Sequence, residues 1–445
     1  MNHTTQRALI LALLVAGAVT FAAAPEANAD RRSSLGGNLL IEDPDDVFFF
    51  PHRALDHVRL FTMDLGLNAD FAGGNVDTPG ASNANGLTGN AGLIIGDKSL
   101  AFGVFARRSD FVNNLPTVFD SFGDIDSLLL TAGNAVGNPG LFPAGDFNGA
   151  GFSQPAQWLD VVTAFDLGGS PLGIRLSIAH ARDNAEQDND GTVNSTEDSA
   201  TAVNLVVGYG IRGDMDLDLS AEIGFGFQSL VDDPDGDAIS EVSSSNFPSI
   251  SLMARGKQKM AKGVDLGFVG LLDFRSVTIE ATQEPGDVKS GTSSSTLGLQ
   301  VGAGPVYHIK DRFTIAAYAT VGLRNTSTDP ETNSDSQDDE SSDLLLVLPQ
   351  MRLSGEFWLL DWLILRTGAQ FIYAFNLGEQ QLGENAVANT SSGGSVFRWI
   401  SGLGFDLGDM DINATLNHDF LLNGPNFIGG QEGMAVMLGL TYDFN

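Results

Sequence analysis

A strict two-residue alternation of apolar and polar side chains is the feature that most constrains this chain. In the stretch "DMDLDLSAEIGFGFQ", residues 214–228, Leu217 and Ile223 belong to the apolar parity, and Asp216, Asp218 and Glu222 belong to the other. Because side chains of a strand point alternately to opposite faces, this period predicts a long strand with one apolar and one charged face. The same alternation recurs at 159–169, 172–180, 297–308, 313–324, 397–407, 411–420 and 434–444.

The connections between these segments alternate in length. We expect short turns near residues 96–98, 168–170, 213, 261–263, 310–311, 359–360 and 408–409. Long polar loops are expected at 72–90, 109–156, 183–199, 229–247, 281–293, 326–343, 376–394 and 421–432. Short turns on one side and long loops on the other are typical of a membrane barrel, in which closure removes exposed strand edges. The pattern therefore predicts an all-β fold, a closed antiparallel transmembrane β-barrel of about 16 strands, with 14 also possible. A soluble β-sandwich or an adhesin array is the alternative.

The first 29 residues have the composition of a signal peptide. Arg7 precedes a long apolar run, and Ala27 and Ala29 occupy the small-residue positions of a cleavage site. We therefore expect residues 1–29 to be a signal peptide, 30–55 to be a periplasmic or plug segment, and 56–445 to form the barrel. The chain has no Cys, which excludes a disulfide framework. Export and barrel together predict the outer membrane as the location and the lipid bilayer as a partner.

The net charge argues against one class of partner. The 23 basic and 56 acidic residues give a formal charge of −33, which makes nucleic acid an improbable partner. An acidic surface also fits a saline habitat, so charge alone names no function.

The C-terminal strand resembles the assembly signal of bacterial outer-membrane β-barrels. That signal ends in an aromatic residue with apolar residues at alternate places before it, as in Leu438, Leu440, Tyr442 and Phe444. The chain departs from it in the final Asn445. The resemblance implies insertion by the barrel-assembly machinery.

The region after the signal peptide carries a second resemblance, to the FadL and PorV group of barrels. Asp45, Asp46, Val47, Phe49 and Pro51 follow the outline of their acidic cluster and aromatic pair, although the group's Asn-Pro-Ala tripeptide is absent. The resemblance implies an N-terminal segment folded into the barrel as a hatch.

Three adjacent aromatic rings support a hatch independently. They do not alternate as lipid-facing residues do, and if exposed they would form a large apolar patch. We therefore expect a plug segment that buries its rings in the barrel mouth and directs its carboxylates to luminal arginines such as Arg212 or Arg366. Its candidate residues are Asp45, Asp46, Phe48, Phe49 and Phe50. The alternative is that the rings pack under the lower rim.

Charged residues recur on the parity opposite to the apolar one. Charges are costly in a dry interior, so this parity requires a wet lumen or a network of ion pairs. The charged side chains either screen solutes in a pore or brace neighbouring strands, and both interpretations stay open. Arg352, Arg366 and Arg398 also form a candidate basic ladder facing the acidic side of the lumen. The candidate lumen-facing charges are Asp160, Asp166, Arg175, Arg212, Asp216, Asp218, Glu222, Arg352, Glu356, Arg366 and Arg398.

Two further segments have candidate roles. Glu186, Asp188, Asp190 and Glu197 are spaced like ligands of a calcium loop, and a solvated acidic loop is the alternative. Ca²⁺ is the one cofactor for which the sequence offers a candidate site. The long loop near 109–157 is expected to fold inward and narrow the channel, with an external lid as the alternative.

These features favour passive diffusion of small polar solutes or ions through a charged lumen. The alternatives are a FadL-like transporter that binds a hydrophobic molecule in a plugged barrel, or a non-conducting surface scaffold or adhesin. Enzymatic activity is not expected, because of the six His only His308 has a clear inward parity and no catalytic partner can be assigned to it.

Overall fold

A computed structural model describes residues 31–67, 87–109, 157–189, 192–234, 240–283, 288–309, 312–332, 340–382, 386–416 and 436–444. Within them sixteen strands form one closed sheet. Each strand pairs antiparallel with its neighbours in sequence, and β1 pairs with β16. The predicted closed sixteen-stranded antiparallel barrel is confirmed. The strands are β1 (Leu60–Leu67), β2 (Leu87–Gly96), β3 (Leu100–Ser109), β4 (Gln157–Asp166), β5 (Pro171–Asn189), β6 (Thr192–Ile211), β7 (Met215–Pro234), β8 (Ser240–Ala261), β9 (Val264–Gln283), β10 (Val288–Ile309), β11 (Phe313–Thr332), β12 (Ser341–Leu360), β13 (Leu363–Leu382), β14 (Ala386–Asp406), β15 (Met410–Leu416) and β16 (Val436–Asp443).

Short turns join the strands at the end of the barrel where β1 begins. The strand ends place six of the seven within one residue of the predicted positions. The turn between β12 and β13 lies at 361–362 instead of 359–360, because Leu360 still pairs with Leu363.

The strands are longer than the alternation predicts. From β5 to β14 they contain 19 to 22 residues. The predicted loops at 183–199, 229–247, 281–293, 326–343 and 376–394 are wrong for most of their length, since the ladder continues through them. Backbone pairing does not require apolar side chains, so polar residues extend the strands beyond the roughly 9–11 residues that cross a bilayer.

The two faces of the sheet differ in chemistry. The outward face carries exposed apolar side chains such as Phe102, Leu205 and Leu299, whereas Asp160 and Asn204 on the inward face are buried. This is the division that a membrane barrel requires. None of the helices in the described part of the chain combines the length and apolar character of a membrane span.

Residues 31–59, here called the N-terminal segment, lie inside the barrel near the short turns. The segment contains α1 (Arg31–Ser34), α2 (Asp46–Phe49) and a 3₁₀ helix (Pro51–Leu55). α1 contacts β13, β14 and β15, and the 3₁₀ helix contacts β3, β4, β5 and β6. The segment therefore reaches widely separated parts of the wall before the chain enters β1.

Candidate functional site

Two aromatic rings of the N-terminal segment are buried against the barrel wall. One belongs to α2 and the other directly follows that helix. Phe48 is 2% exposed and packs in a cluster with Phe105 and Val162, its ring 4.9 Å from that of Phe105. Phe50 is 0% exposed and packs in a cluster with wall residues of β8, β9, β12 and β13, among them Met253 and Ile372. Full burial of such a ring contributes roughly 1.5–3 kcal/mol. Phe49 is half-buried, and the Arg32 guanidinium lies 5.2 Å from its ring centre.

Asp218 of β7 accepts hydrogen bonds from four side chains, which together form the Asp218 cluster. Its carboxylate lies 2.7 Å from Arg53 Nη2, 2.8 Å from Arg255 Nη2 and 2.9 Å from Arg212 Nη1. His52 Nε2 lies 2.9 Å from Asp218 Oδ1. Arg53 and His52 belong to the N-terminal segment, so one wall carboxylate binds the segment twice. Charge-assisted hydrogen bonds of this kind are among the strongest in proteins.

Asp46 extends this network into α2. Arg255 Nη1 donates to Asp46 Oδ2 at 2.7 Å, and Arg32 also donates to Asp46. Burial alone would raise the pKa of Asp46, but the Arg255 and Arg32 guanidinium groups hold it well below its usual range. Arg255 therefore links Asp46 to Asp218. The expected partners Arg212 and Arg366 bind wall carboxylates instead, and the buried Asp45 donates its backbone N–H to Asp43 Oδ1 at 3.0 Å.

A second cluster, the Glu356 cluster, lies on β12–β15. Glu356 Oε1 accepts from Arg31 Nε at 2.9 Å and from Arg366 Nε at 2.7 Å. Arg366 Nη1 donates to Asn413 Oδ1 at 2.5 Å. Arg352 Nη1 donates to the Gly37 carbonyl oxygen at 2.6 Å. The segment is thus bound to β12 as well as to β7 and β8, and Arg366 of β13 shares the Glu356 carboxylate.

The candidate basic ladder is interrupted in the register. Arg352 pairs with Gln370, which pairs with Arg398, whereas Arg366 pairs with Glu356 and lies four residues before Gln370 on β13. The side chain of Arg398 lies outside the described residues. Arg352 binds the N-terminal segment, and Arg366 binds the Glu356 carboxylate. Both arginines therefore brace the structure.

Asp160 anchors a third cluster on β3–β5. It accepts hydrogen bonds from Arg107 and Ser177, and Arg175 Nε lies 3.9 Å from its Oδ1. Arg175 also donates from Nη1 to the Phe48 carbonyl oxygen. The guanidinium of Arg107 lies 5.2 Å from the Phe48 ring centre, which is within the range of a cation–π contact.

The other predicted luminal charges lie in different surroundings. Asp166 is exposed at the end of β4, where its Oδ1 accepts the Gly169 N–H at 2.7 Å, so it caps a turn instead of lining the lumen. Asp216 is exposed near the mouth, with Lys257 opposite it in the register. Glu222 is half-buried on the inward parity of β7.

The candidate calcium segment forms a hairpin. The backbones of Glu186 and Asp188 lie in β5, and that of Glu197 lies in β6, where its exposed side chain is 2.7 Å from Arg182. Asp190 and the side chains of Glu186 and Asp188 lie outside the described residues. Among the described side chains, no three carboxylate or imidazole groups converge to hold a metal ion.

β16 closes the barrel with the predicted assembly residues. Leu438 and Leu440 pair with Leu65 and Met63 of β1. Tyr442 is 42% exposed, and the Phe444 N–H donates to the Arg59 carbonyl oxygen at 3.0 Å. The long segment near 109–157 lies outside the described residues except at its ends.

Glycines on the inner wall let the N-terminal segment approach the strands closely. A Cβ atom at Gly173 would lie 2.1 Å from His52 N, and one at Gly368 would lie 2.3 Å from Gly36 N. Gly208 and Gly402 adjoin Pro51 and Ser34 in the same way. These positions were missed at the sequence level, although Gly on the inward parity close to a short turn is a usable signal of close backbone approach.

Several charged partners were also missed. Arg31, Arg32, Arg53 and His52 precede the barrel and have no strand period that reveals their direction. Arg255 lies on the inward parity of β8, and that parity was its only available signal.

Among the residues that the structure describes, two clefts lie beside the N-terminal segment at this end of the barrel. One has a volume of about 380 Å³ and is lined largely by charged side chains, including Asp43, His57, Asp64 and Asp409. The other has a volume of about 340 Å³ and is lined by Lys257 and Lys259 together with several carboxylates. The space beside the segment in this part of the described lumen therefore consists of small polar clefts.

No protein-family model matches the chain, and no curated protein matches its sequence. Among solved structures, the toluene transporter TodX of P. putida matches with a TM-score of 0.37 and 9% identity, over 95% of this chain and 99% of TodX. The ferric yersiniabactin uptake receptor FyuA of Yersinia pestis matches with a TM-score of 0.37 and 10% identity, over 87% and 80% of the two chains. CdiB of Escherichia coli matches with a TM-score of 0.35 and 12% identity, over 87% and 63%. The barrel assignment therefore rests on the strand pairing of this chain itself.

Proposed function

We propose that this protein is an outer-membrane transport channel whose N-terminal segment closes the periplasmic end of the lumen. One observation carries the proposal: the segment is bound by buried charged groups on separate parts of the wall, through the Asp218 cluster and the Glu356 cluster. In this proposal, small solutes pass through the lumen when the N-terminal segment moves away from its closed position. This reading favours a plugged barrel over a permanently open pore.

The apolar outer face and the predicted signal peptide support the outer-membrane location. A barrel in that membrane has its short turns in the periplasm, which is the end where the N-terminal segment lies. The C-terminal strand is expected to direct insertion by the assembly machinery. The proposal includes no catalytic activity and no obligatory cofactor, and binding of Ca²⁺ by the acidic hairpin stays a prediction.

The chemistry of the described lumen favours small polar solutes or ions. The inward faces of β5, β6, β8, β10 and β12 carry the buried polar residues Ser177, Asn204, Ser251, Gln300 and Gln350. Inward apolar residues such as Met253 and Ile372 are covered by the N-terminal segment. A FadL-like carrier of hydrophobic molecules needs an apolar cavity, and both clefts beside the segment are polar. Passive diffusion through these clefts is the second candidate, because they leave space at the edge of the segment.

Deletion of residues 33–51 tests the proposal directly. The barrel strands are retained, so we expect an assembled barrel with larger and noisier single-channel current than the full-length protein. The measurement is conductance in a planar bilayer, with heat-dependent gel migration as the check on assembly. Unchanged conductance of an assembled variant would place residues 33–51 outside the conducting path. No current in either form would favour a scaffold.

Asp218→Asn is a milder version of the same experiment. The amide keeps the shape of the side chain but removes the charge that Arg53 and Arg255 share, and breaking a buried ion pair costs about 3–5 kcal/mol. We expect an assembled barrel with more frequent opening events. Asp166→Asn is the matched control, since that carboxylate is exposed in a turn. Equal gating of the two variants would contradict a closing role for the Asp218 cluster.

A further inference from the structure

Two buried polar side chains on the inner wall of β5 and β6 have atoms without a hydrogen-bond partner among the described residues. The Asn204 side chain is 0% exposed, and neither its Oδ1 nor its Nδ2 atom makes a hydrogen bond. The Arg175 guanidinium is equally buried, and its Nε and Nη2 atoms make none. Buried polar groups in folded proteins are nearly always paired, so two such exceptions on neighbouring strands require an explanation.

The bonding of its neighbours explains why Arg175 has unused donors. Asp160, its ion-pair partner, already accepts hydrogen bonds from Arg107 and Ser177. Arg175 Nε lies 3.9 Å from Asp160 Oδ1, which is beyond hydrogen-bond distance. Nη1 donates to the Phe48 carbonyl oxygen and so holds the guanidinium in place. The remaining Nε and Nη2 donors form the fork that binds a carboxylate in a bidentate manner.

A carboxylate without hydrogen bonds lies on the opposite side of β6. Glu222 is half-buried on the inward parity of β7, and within the described part of the chain no side chain donates to its carboxylate. It interacts electrostatically with Arg175. Arg175 and Glu222 both pair with Val206 of β6, from opposite sides. Two strand spacings therefore separate their backbones, roughly 9.6 Å in all.

Asn204 lies between these opposite charges. It is two residues from Val206 on β6 and therefore shares the inward face of that strand. Gly224, which pairs with Asn204 on β7, contributes no side chain that could fill the space beside the amide. The amide itself offers an acceptor oxygen and a donor nitrogen. A ligand that matches all three groups is small and carries a negative and a positive charge close together.

We propose that Arg175, Asn204 and Glu222 bind a small zwitterionic α-amino acid. Its carboxylate accepts from Arg175 Nε and Nη2, and its ammonium group donates to Glu222. The Asn204 amide donates to the carboxylate and accepts from the ammonium group. An anion alone would leave Glu222 unpaired, and a cation alone would leave Arg175 with its unused donors. This inference rests on the proposed function and deepens it, because it names the class of small polar solute.

Saturation-transfer NMR on the full-length protein in detergent tests the site. L-alanine is titrated in parallel with propionate, which lacks the ammonium group, and ethylamine, which lacks the carboxylate. We expect L-alanine to bind about tenfold more tightly than either, because a hydrogen bond to a charged group contributes at least that factor to affinity. Propionate binding as tight as that of L-alanine would identify a simple anion site. Absence of L-alanine binding would leave water as the partner of the unused atoms, and either result would overturn the proposal.

Glu222→Gln removes the charge that the ammonium group requires and keeps the shape of the side chain. It should weaken L-alanine binding about tenfold without weakening propionate binding. Asn204→Ala, as a second variant, should weaken the binding of both. Glu280→Gln is the matched control, because it makes the same change at an exposed carboxylate of β9. Heat-dependent gel migration confirms that each variant is assembled. Equal loss of L-alanine binding in Glu222→Gln and Glu280→Gln would overturn the proposal.

Failure of this inference can be distinguished from failure of the channel proposal, because binding in detergent does not require transport. Larger conductance after deletion of residues 33–51, without L-alanine binding to the full-length protein, would overturn only the amino-acid site. L-alanine binding by a protein that conducts no current in either form would support the site and overturn the channel.

Discussion

His52 is the residue of the Asp218 cluster that can change charge near neutral pH. It is 1% exposed, and its Nδ1 has no hydrogen-bond partner among the described residues. Burial lowers the pKa of His52 below its ordinary value of 6.5, although the hydrogen bond with Asp218 opposes the shift. If the N-terminal segment moves out and His52 is solvated, its pKa returns toward about 6.5. The released state then binds more protons than the closed state at acidic pH.

The sign of the pH dependence follows from this difference. Near pH 7.5 His52 is largely neutral in both states and closure is little affected, whereas closure loses stability as the pH falls through 6.5 toward the lowered value. We predict that open probability in a planar bilayer rises between pH 7.5 and 5.5. Asp46 and Glu42 stay ionised in this window because their pKa values are lowered.

Two variants separate the groups involved. Burial also lowers the pKa of His57, which acts in the same direction. His52→Asn should flatten most of the pH response, and His57→Asn should leave most of it. A full response in the His52→Asn variant would show that another group controls the opening.

For single residues, the sequence predicts whether a side chain is buried better than it predicts which residue the side chain contacts. Three adjacent aromatic rings that break the alternation are a signal of burial, and Phe48 and Phe50 are indeed buried. The pairing of Asp46 with Arg255 was beyond reach, because 209 residues separate them and the segment has no strand period to set its direction. Sequence spacing constrains neighbours within a strand but not contacts made by an irregular segment across a lumen.

At the scale of secondary-structure elements, the two-residue period correctly identified the strands. The ends of the strands were misplaced, because polar stretches were taken for loops. β5 and β6 remain paired as far as Asn189 and Thr192, inside a stretch predicted to be a loop. Hydropathy reports where lipid ends, whereas the ladder ends where backbone pairing ends, and these positions differ when hairpins extend beyond the membrane. Short turns were located more accurately, since a turn ends the pairing and the apolar period together.

The inner glycines allow a prediction about β13. Gly368→Ala adds a methyl group where Gly36 and Leu35 backbone atoms lie 2.3 Å from the ideal Cβ position, so the N-terminal segment must shift. Overpacking of this kind costs about 1–3 kcal/mol. We expect normal barrel assembly with increased conductance and faster proteolysis within residues 31–59. Gly213→Ala, in a turn where the added Cβ has open space, is the control and should behave as the wild type. Wild-type behaviour of Gly368→Ala would show that the contact tolerates a side chain.

For the whole molecule, the acidic excess is concentrated at the end of the barrel opposite the N-terminal segment. The stretches 183–199, 229–247 and 326–343 contain 18 acidic residues and no Lys or Arg. Their described residues lie at the far ends of the β5–β6, β7–β8 and β11–β12 strand pairs, so all three groups lie at the same mouth. Charge of one sign around an opening raises the local concentration of counter-ions.

This distribution predicts cation preference that depends on salt. The Debye length is about 10 Å at 0.1 M ionic strength and about 3 Å at 1 M, so the field of exposed carboxylates should reach the mouth at low salt and fade at high salt. We expect reversal potentials in a KCl gradient to indicate K⁺ selectivity at low concentration and little selectivity near 1 M. Buried luminal arginines are screened less by salt than exposed carboxylates. Anion preference at low salt would therefore assign ion selection to Arg175 and its luminal neighbours instead of the acidic mouth. Deletion of residues 33–51 would distinguish these two selectors, because it widens the path without altering the acidic mouth.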